Sequence, residues 1–293
     1  MAKKYIAPSE LPINEDGSVF HLHVKPGQLA RKIILVGDQG RVPLVASHFD
    51  QVECYVQNRE FRTITGTYKG KHISCVSTGI GCDNIDIVMT ELDALFNVDF
   101  TTREVKDEIQ QLEFVRIGTS GGLQHYTPIG SFVCSVRSIG FDGVLNFYAG
   151  RNEVCDLAME KAFLQHMEWS GTMCAPAAYA IHADEELVNR IATDDMVRGI
   201  TIAANGFYGP QGRDVRLATA DPYQNAKIET FEYEGLHITN YEMESSAIAG
   251  LSKLMGHKAT TVCLILANRL DKEIKTSYKN TIDTLIKTVL DRL

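Results

Sequence analysis

The chain has 293 residues, of which 44% are hydrophobic and 23% are charged, and its formal net charge is −8. This composition is typical of a globular protein with a large buried core. The acidic balance argues against a general nucleic-acid-binding protein, which needs a basic surface. Seven cysteines without a Cys-x-x-Cys pair favour reduced thiols over a disulfide framework or a zinc site.

Residues 1–19 contain Pro8, Pro12 and Gly17, which predicts an irregular lead-in to the fold. The N-terminus lacks the apolar run of a signal peptide, and no later stretch reaches membrane-spanning length. With the reduced cysteines, this predicts a cytoplasmic protein.

The first strong strand signal is the apolar run Lys32–Val36, which ends at Gly37-Asp38-Gln39-Gly40-Arg41. A helix is predicted from Val42 to Phe49. A strand, a glycine turn and a helix N-terminus together form a generic cradle for an anion. By itself this arrangement does not identify the anion.

A β-hairpin is predicted next, with strands at Arg62–Tyr68 and Ile73–Ser77, and an amphipathic helix capped by Asp83 or Asn84 follows. Two nucleotide-binding patterns near this region are incomplete. The segment 66–71 is one residue short of a P-loop and lacks its Ser or Thr. The segment 79–84 lacks the third glycine of a dinucleotide fingerprint. Neither a nucleoside triphosphate nor NAD is therefore expected as a cofactor.

Arg116 lies inside the predicted strand Phe114–Gly118 and is followed by Thr119, Ser120 and Gly121. A buried arginine is costly unless it meets an anion, and the hydroxyls and glycines after it can donate further hydrogen bonds to that anion. The alternative is an arginine that pairs with a buried Asp or Glu of the protein, and the sequence leaves both interpretations open.

The middle of the chain gives element predictions without a chemical motif. A strand is predicted at Ser131–Val136, helices at Val154–Met167 and Asp184–Ala192, and a further strand in the small, apolar stretch 172–179. Residues 214–235 are polar and charged, which predicts a mobile cover.

The loop after the predicted strand Ile200–Ala204 joins an aromatic ring, an amide and a guanidinium: Phe207, Gln211 and Arg213. A flat apolar face, a group that donates and accepts, and a rigid fork of donors suit a heterocycle with carbonyl and imide groups. The alternative is a surface loop with one buried phenylalanine.

Glu242, Met243 and Glu244 lie where a predicted strand enters a helix. A carboxylate can accept hydrogen bonds from vicinal sugar hydroxyls while a thioether packs on the sugar ring. The alternative is that the carboxylates only stabilise the helix N-terminus. A strand at Thr260–Ala267 and a final amphipathic helix complete the chain. The alternation of strands and helices predicts an α/β fold, with a central parallel or mixed sheet in one domain spanning residues 1–293.

Eight motifs in this order resemble the family-I nucleoside phosphorylases, and within them the uridine-specific branch. They are Phe20-His21-Leu22, Gly37-Asp38-x-x-Arg41, Arg59-Glu60-Phe61, Ser77-Thr78-Gly79-Ile80-Gly81, Arg116 to Gly122, Phe207-Tyr208-x-x-Gln211-Gly212-Arg213, Glu242-Met243-Glu244-Ser245 and Asn268-Arg269-Leu270. The purine branch has an aspartate at the position of Asn268, so its absence favours pyrimidines.

The resemblance implies a twisted mixed sheet with flanking helices, a pentosyltransferase activity with orthophosphate as co-substrate, and neither cofactor nor metal. Residue by residue, it implies a phosphate site at Gly37, Arg41, Arg116 and Thr119, a ribose site at Glu242, Met243 and Glu244, and a base site at Ser120, Gly121, Phe207, Gln211 and Arg213. The catalytic residues would be Arg116, Gln211, Arg213 and Glu244. Arg59 and His21 would complete the site of a neighbouring subunit, which makes a homodimer the minimal unit.

Two departures from the family pattern lie beside the implied phosphate site. Gln39 replaces a usual proline, and Cys82-Asp83-Asn84 replaces a run similar to Gly-Pro-Ser. The resemblance leaves deoxyuridine and thymidine open as further substrates. A purine nucleoside phosphorylase, a nucleosidase and a non-catalytic nucleoside-binding or storage protein are the alternatives.

Overall fold

The computed structural model describes residues 5–169 and 178–293. Within these ranges the strands are β1 (Lys32–Val36), β2 (Gln51–Asn58), β3 (Phe61–Tyr68), β4 (Lys71–Ser77), β5 (Val98–Asp99), β6 (Glu104–Val105), β7 (Glu113–Gly122), β8 (Phe132–Gly140), β9 (Tyr179–His182), β10 (Val197–Ala203), β11 (Glu232–Tyr233), β12 (Leu236–Glu242), β13 (Lys258–Asn268) and β14 (Glu273–Ile274). The α-helices are α1 (Arg41–Ala46), α2 (Cys82–Asn97), α3 (Arg151–Val154), α4 (Leu157–Met167), α5 (Glu185–Ile191), α6 (Gln224–Thr230), α7 (Ser245–Met255) and α8 (Lys279–Arg292).

Twelve of these strands form one mixed sheet in the order β11-β12-β10-β8-β13-β7-β1-β4-β3-β2, with β9 beside β8 and β14 beside β13. Strands β4, β1, β7 and β13 run parallel to one another. Strands β8, β10 and β12 form a second parallel group, which meets β13 in an antiparallel pairing. The prediction of a mixed α/β sheet is therefore confirmed.

Strand β12 also pairs with β7, so that β7, β13, β8, β10 and β12 close into a ring of five strands. The β12–β7 pairing joins Asn240 to Gly122 and Tyr241 to Gly121, at the carboxyl ends of both strands. The residues after these strands consequently meet at one edge of the sheet, which is where ligands bind in open α/β folds.

Helices cover the sheet on its different faces, and each contributes an apolar stripe to a buried cluster. Helices α1, α5 and α8 pack on one cluster with β1, β4 and β7, and α8 buries an apolar stripe of Ile282, Leu285, Ile286, Val289 and Leu290, as expected for the predicted amphipathic helix. Helices α2 and α7 cover a second cluster, and α4 packs with α6 over a third. No helix in the described ranges is both long and apolar enough to span a bilayer.

Most of the predicted elements are confirmed, and three predictions need correction. The helix predicted at Val154–Met167 is interrupted, because Asp156 accepts a hydrogen bond from the Met159 N–H (2.9 Å) and so starts α4 as a new helix. Of the strand predicted at 172–179, residues 172–177 lie outside the described ranges, and β9 begins at Tyr179.

The other two corrections concern a helix cap and the region 214–235. Helix α2 begins after Gly81, whose φ of 96° and ψ of 162° are accessible to glycine alone, and neither Asp83 nor Asn84 caps it. The region predicted as a mobile cover contains helix α6 and strand β11. Part of this polar region is therefore a short helix that packs on the core.

Candidate active site

A cavity of about 730 Å³ opens at the carboxyl ends of β1, β4, β7, β12 and β13 and beneath the loop 205–213. This volume is in the range of small-molecule binding sites. Twelve of the fourteen site residues predicted from the sequence line it: Gly37, Arg41, Arg116, Thr119, Ser120, Gly121, Phe207, Gln211, Arg213, Glu242, Met243 and Glu244. Arg59 and His21 do not. Arg41, Arg116 and Arg213 thus line one cavity.

One end of the cavity is formed by Gly37, Arg41 and Thr119. Arg41 is the first residue of α1 and is 8% exposed, and its Nη1 donates to the Ile117 carbonyl at 3.2 Å. Among the described residues it has no carboxylate within ion-pair distance. Gly37 lies beside the turn after β4, where a Cβ at position 37 would be in ordinary contact with the Gly79 carbonyl oxygen at 3.4 Å. This end therefore offers a buried cation and a narrow backbone turn to an anion.

Arg116 is paired with both carboxylates of the Glu242-Met243-Glu244 segment. Its Nη1 lies 3.0 Å from Glu242 Oε2, and its Nη2 donates to Glu244 Oε2. All three side chains are almost fully buried, although they line the cavity. The two interpretations of this arginine are thus not exclusive, because it neutralises buried carboxylates and also borders the ligand space.

Gly118 makes room for this guanidinium. A Cβ at position 118 would lie 2.1 Å from Arg116 Nη1 and 2.9 Å from the Cys263 sulfur, so the arginine lies flat over the bare Cα of the glycine. Residues 116 and 118 project on the same side of β7, and Cys263 is the neighbour of Gly118 on β13. The sequence Arg-Ile-Gly thereby directs the guanidinium along the strand toward Glu244.

Glu242 is held by the start of α7. Its carboxylate accepts hydrogen bonds from the Glu244 and Ser245 N–H groups at 3.0 Å and from the Ser245 hydroxyl at 2.6 Å. Burial and the nearby Glu244 carboxylate raise the pKa of Glu242, against the lowering effect of Arg116. Since protein donors already occupy both its oxygens, Glu242 acts chiefly by fixing Arg116 and α7. Contact with a sugar stays a prediction for this residue.

Glu244 has a more open carboxylate. Among the described residues it binds Arg116 and the Gly81 N–H, which donates to Oε1 at 2.6 Å. Met243 lies beside it in the cavity wall, and its carbonyl accepts a hydrogen bond from the Cys82 thiol (3.2 Å). The departure at Cys82 therefore supports the backbone between the two glutamates.

The opposite end of the cavity is built from Phe207, Gln211 and Arg213. The Arg213 guanidinium lies 3.8 Å from the centre of the Phe207 ring, and its Nη1 donates to Gln211 Oε1 at 2.6 Å. Burial, and secondly the neighbouring Arg269, lower the pKa of Arg213 to about 10, so the group is charged at neutral pH. Among the described residues it has no carboxylate partner. This end of the cavity therefore presents an uncompensated positive charge.

Ser120 and Gly121 lie between the two ends. The Ser120 hydroxyl is buried and has no hydrogen-bond partner among the described residues, which leaves it free for a ligand. Gly121 pairs with Tyr241 across the β7–β12 junction. These positions suit residues that contact a ligand along its middle.

Sequence reasoning gave no role to several residues in and around the site. Arg269, which belongs to the motif Asn268-Arg269-Leu270, does not line the cavity, but its Nη2 donates to the Gly212 carbonyl at 3.3 Å. Its buried Nη1 has no partner within the described ranges. The cavity is also lined by Asp38, Gln39, Glu60, Gly79, Ile80, Asn84, Tyr241, Leu266, Ala267, Ile274 and Tyr278. The departure at Gln39 brings an amide whose oxygen accepts from Gln57 Nε2 at 3.0 Å.

His21 and Arg59 lie together on the surface, away from the chain's own cavity. The exposed Arg59 guanidinium lies 5.4 Å from the centre of the Phe20 ring, and this ring packs edge-on against His21 at 5.0 Å. His21 is fixed by Glu91, whose Oε1 lies 2.6 Å from Nδ1. The three side chains form one patch, called here the Phe20–Arg59 patch.

Comparison with known proteins agrees with this geometry. The chain is 30% identical over 276 residues to the uridine phosphorylase of Thermococcus kodakarensis, covering 93% of this chain and 85% of that protein. It is 25% identical to the uridine phosphorylase of Haemophilus influenzae, covering 93% and 96%. The crystal structure of the Trypanosoma brucei nucleoside phosphorylase, which shows uridine phosphorylase activity, superposes with a TM-score of 0.87 at 28% identity over 97% of this chain and 99% of that one.

A family model covers nearly the whole chain. The model of the phosphorylase superfamily matches residues 31–291, which include all the cavity residues described above. The fold, the cavity at the strand ends and these relatives lead to the same assignment: the chain belongs to the phosphorylase superfamily.

Proposed function

We propose that this protein is a uridine phosphorylase, which converts uridine and orthophosphate reversibly to uracil and ribose 1-phosphate. One observation carries the proposal: the half-buried Arg213, stacked on Phe207 and bonded to Gln211, lines the same cavity as Arg41 and Arg116. One cationic end suits an inorganic anion, and the other suits a planar base that leaves with negative charge.

In this proposal the phosphate lies at the end formed by Gly37, Arg41 and Thr119, with Arg116 at its border. The ribose lies against Met243, with its hydroxyls donating to Glu244, and the base lies against Phe207. A phosphate oxygen attacks C1′ as the N-glycosidic bond breaks, and the bonding electrons move onto the pyrimidine. Arg213 and Gln211 stabilise that charge as preorganised donors, so no general acid of matched pKa is required.

The alternatives differ in what they require of the site. A nucleosidase activates water and needs no cationic cradle for an anion, whereas here Arg41 is buried with no carboxylate partner in the part of the chain that the structure describes. A storage protein would be expected to have lost some of the reactive groups, yet twelve of the predicted ones line a single cavity.

The decisive assay is base release from a panel of nucleosides with and without phosphate. We expect uracil to be released from uridine only when phosphate is present, and ribose 1-phosphate to accumulate in equal amount. Release without phosphate would identify a nucleosidase, and preference for inosine or adenosine would identify a purine enzyme. No release in any condition would overturn the proposal of an enzyme.

Asn268 stands where the purine branch of the family has an aspartate. Its Nδ2 donates to the carbonyls of Gln124 (3.1 Å) and Thr127 (3.2 Å), while its Oδ1 accepts from the N–H groups of Leu270 and Asp271. All these bonds stay within the protein, so the side chain fixes a turn and does not contact the base directly.

We therefore expect Asn268→Asp to lower stability by about 1–3 kcal/mol, because a carboxylate would face two carbonyls that have lost their donor. We expect no gain of purine cleavage. Urea unfolding and the nucleoside panel measure the two effects, with Asn268→Ala as the control that removes the amide without adding charge. Efficient cleavage of inosine by the aspartate variant would show that position 268 selects the base.

We also propose a homodimer in which the Phe20–Arg59 patch completes the partner's site. Both Arg59 and His21 lie outside the cavity of their own chain, and Arg59 is exposed beside the aromatic ring of Phe20. In the proposed dimer, the guanidinium of Arg59 contacts the phosphate in the partner's site, and His21 contacts the sugar there.

A mixing experiment tests the sharing of sites. We expect Arg59→Ala and Arg213→Ala to be almost inactive separately, and to recover about a quarter of wild-type activity after dissociation and reassociation, because half of the dimers are mixed and each has one complete site. Mixing with an Arg213→Ala protein that also carries Arg59→Ala is the control. No recovery in the first mixture would show that Arg59 acts within its own chain or not at all.

We further propose that residues 1–293 form one domain, since the main sheet takes strands from Lys32 to Ile274. A cytoplasmic location is proposed from the six described cysteines, which are all unpaired.

A further inference from the structure

Helix α6 lies directly behind the loop that carries Gln211 and Arg213. Residues Gly209–Gln211 form a single turn of 3₁₀ helix, which ends at Gly212 with a φ of 64°. The carbonyls at the end of such a turn have no partner within it and must be satisfied from elsewhere. In this protein the first two residues of α6 supply the donors.

Gln224 and Asn225 bind three successive carbonyls of the loop. Gln224 Nε2 donates to the Pro210 carbonyl at 2.9 Å. Asn225 Nδ2 lies 3.4 Å from the carbonyl oxygen of Gln211 and 3.3 Å from that of Gly212. The backbone from 210 to 212 is thus held by two side chains of α6.

A buried tyrosine ties these two side chains together. The Tyr241 hydroxyl accepts from Gln224 Nε2 (3.1 Å) and donates to Asn225 Oδ1 (3.2 Å). Tyr241 is 1% exposed and lines the cavity from β12. Its hydrogen bonds fix which atom of the Asn225 amide faces the loop, because Oδ1 must accept and Nδ2 is left to donate.

Helix α6 is itself anchored to the core, so its hydrogen bonds can fix the position of the loop. Ile228 is fully buried in the cluster that contains Phe163 and Phe231. Lys227 Nζ donates to the Met167 carbonyl at 2.9 Å, and the Lys227 carbonyl lies 2.7 Å from His166 Nε2. At Gly212, a Cβ would lie 2.6 Å from Asn225 Nδ2, so the close approach needs glycine at that position.

From these contacts we infer that Gln224 and Asn225 are positioning residues for base recognition, which hold Gln211 and Arg213 in place without contacting the substrate. The inference rests on the proposed function. If the loop is displaced, its side chains are no longer preorganised and the contacts to the base should weaken. The phosphate site, which lies at the opposite end of the cavity, should be unchanged.

The test is a comparison of two Michaelis constants in the full-length enzyme. For Asn225→Ala we expect the KM for uracil, measured in the synthetic direction with ribose 1-phosphate, to rise about tenfold. We expect the KM for phosphate in uridine cleavage to change less than about twofold. A purely structural role would reduce the amount of active enzyme and leave both constants unchanged.

Further variants distinguish the loss of the hydrogen-bond donor from a loss of folding. Asn225→Asp keeps the acceptor for Tyr241 but removes both N–H groups, so it should behave like Asn225→Ala. Gln224→Ala tests the same idea if substitutions at 225 do not fold, and Thr230→Ala, an exposed substitution on the same helix, is the control. Wild-type constants in both Asn225→Asp and Gln224→Ala would overturn the inference. Absence of uridine cleavage in the wild-type enzyme would instead overturn the proposed function.

Discussion

Replacing Arg213 by alanine should lower kcat for uridine cleavage by about a hundredfold or more, which is the usual cost of losing one preorganised donor to a developing negative charge. The structure gives this expectation a physical basis. The guanidinium lies on the face of Phe207, is oriented by Gln211, and has no carboxylate partner among the described residues that would compete for its charge. Its loss removes the strongest cation near the departing base.

The control is Arg216→Ala, which removes the same charge from an exposed position on the same segment. Arg213→Lys refines the test, because a lysine keeps the charge but neither stacks as a plane nor presents a fork of donors. We expect it to recover only part of the lost rate. Steady-state kinetics with uridine at saturating phosphate measure all three variants, and unchanged kcat in Arg213→Ala would remove this residue from the mechanism.

A change of leaving group offers an independent test of the role of Arg213. A uracil analogue with an electron-withdrawing group at C5 carries negative charge more easily and depends less on an external cation. The loss of rate in Arg213→Ala should therefore be smaller for 5-fluorouridine than for uridine. An equal loss for both would indicate that Arg213 binds the ground state and the transition state alike.

The sequence predicted the positions of the strands well because parallel strands buried on both faces are continuous apolar runs with sharp ends. Lys32–Val36 is such a run, and its observed bounds are those predicted. The exposed strand β2 was missed, because six of its eight residues alternate between exposed and half-buried positions and the segment resembles a polar loop. A pattern of burial that depends on a neighbouring strand is not visible in local sequence.

The candidate site was predictable for a related reason. Its motifs lie at or near the carboxyl ends of strands, and the ends of parallel strands meet by topology without any knowledge of side-chain contacts. What the sequence could not give is which groups are already bonded to protein. From the sequence, Glu242 is predicted to bind a sugar, but in the structure its oxygens bind Arg116 and the start of α7. This distinction depends on the β12–β7 closure, which brings together residues that lie more than a hundred positions apart in sequence.

Helix α6 shows a second limit of prediction from sequence. The segment 214–235 has the composition of a mobile loop, and its polar residues gave no sign of order. Its order comes from carbonyls of another loop that need donors, and from the buried side chain of Ile228. Polar residues that satisfy distant backbone groups look the same in sequence as those that face water.

Replacing Arg116 by methionine should destabilise the fold by about 3–5 kcal/mol, the cost of leaving buried carboxylates without their cation. Methionine retains much of the volume, so the loss reports mainly on charge. Catalysis should be lost as well, because Glu244 would no longer be held and the border of the phosphate site would change from neutralised to strongly negative. Urea unfolding and uridine cleavage measure the two effects.

The effect on stability should depend on pH with a defined sign. Burial already raises the pKa of Glu242 above its ordinary value of 4.5, and Arg116 is the main influence opposing this. Without Arg116 the folded protein binds a proton that the unfolded chain releases, so the deficit is smallest below the ordinary pKa of the carboxylate. It grows as the pH rises through the raised folded-state pKa. The variant should consequently lie closest to wild type below the ordinary pKa of 4.5 and fall further behind as the pH approaches neutrality.

A second substitution identifies the cause. If unpaired charge is responsible, Arg116→Met combined with Glu242→Gln should be more stable at neutral pH than Arg116→Met alone, because one of the two buried carboxylates is then neutral. Gln at 242 still accepts the hydrogen bonds from the start of α7 through its carbonyl oxygen, so the helix keeps its N-terminal contacts. A double variant no more stable than the single one at neutral pH would show that Arg116 acts through packing against Gly118 and Cys263, and that the carboxylates are stabilised by α7 instead.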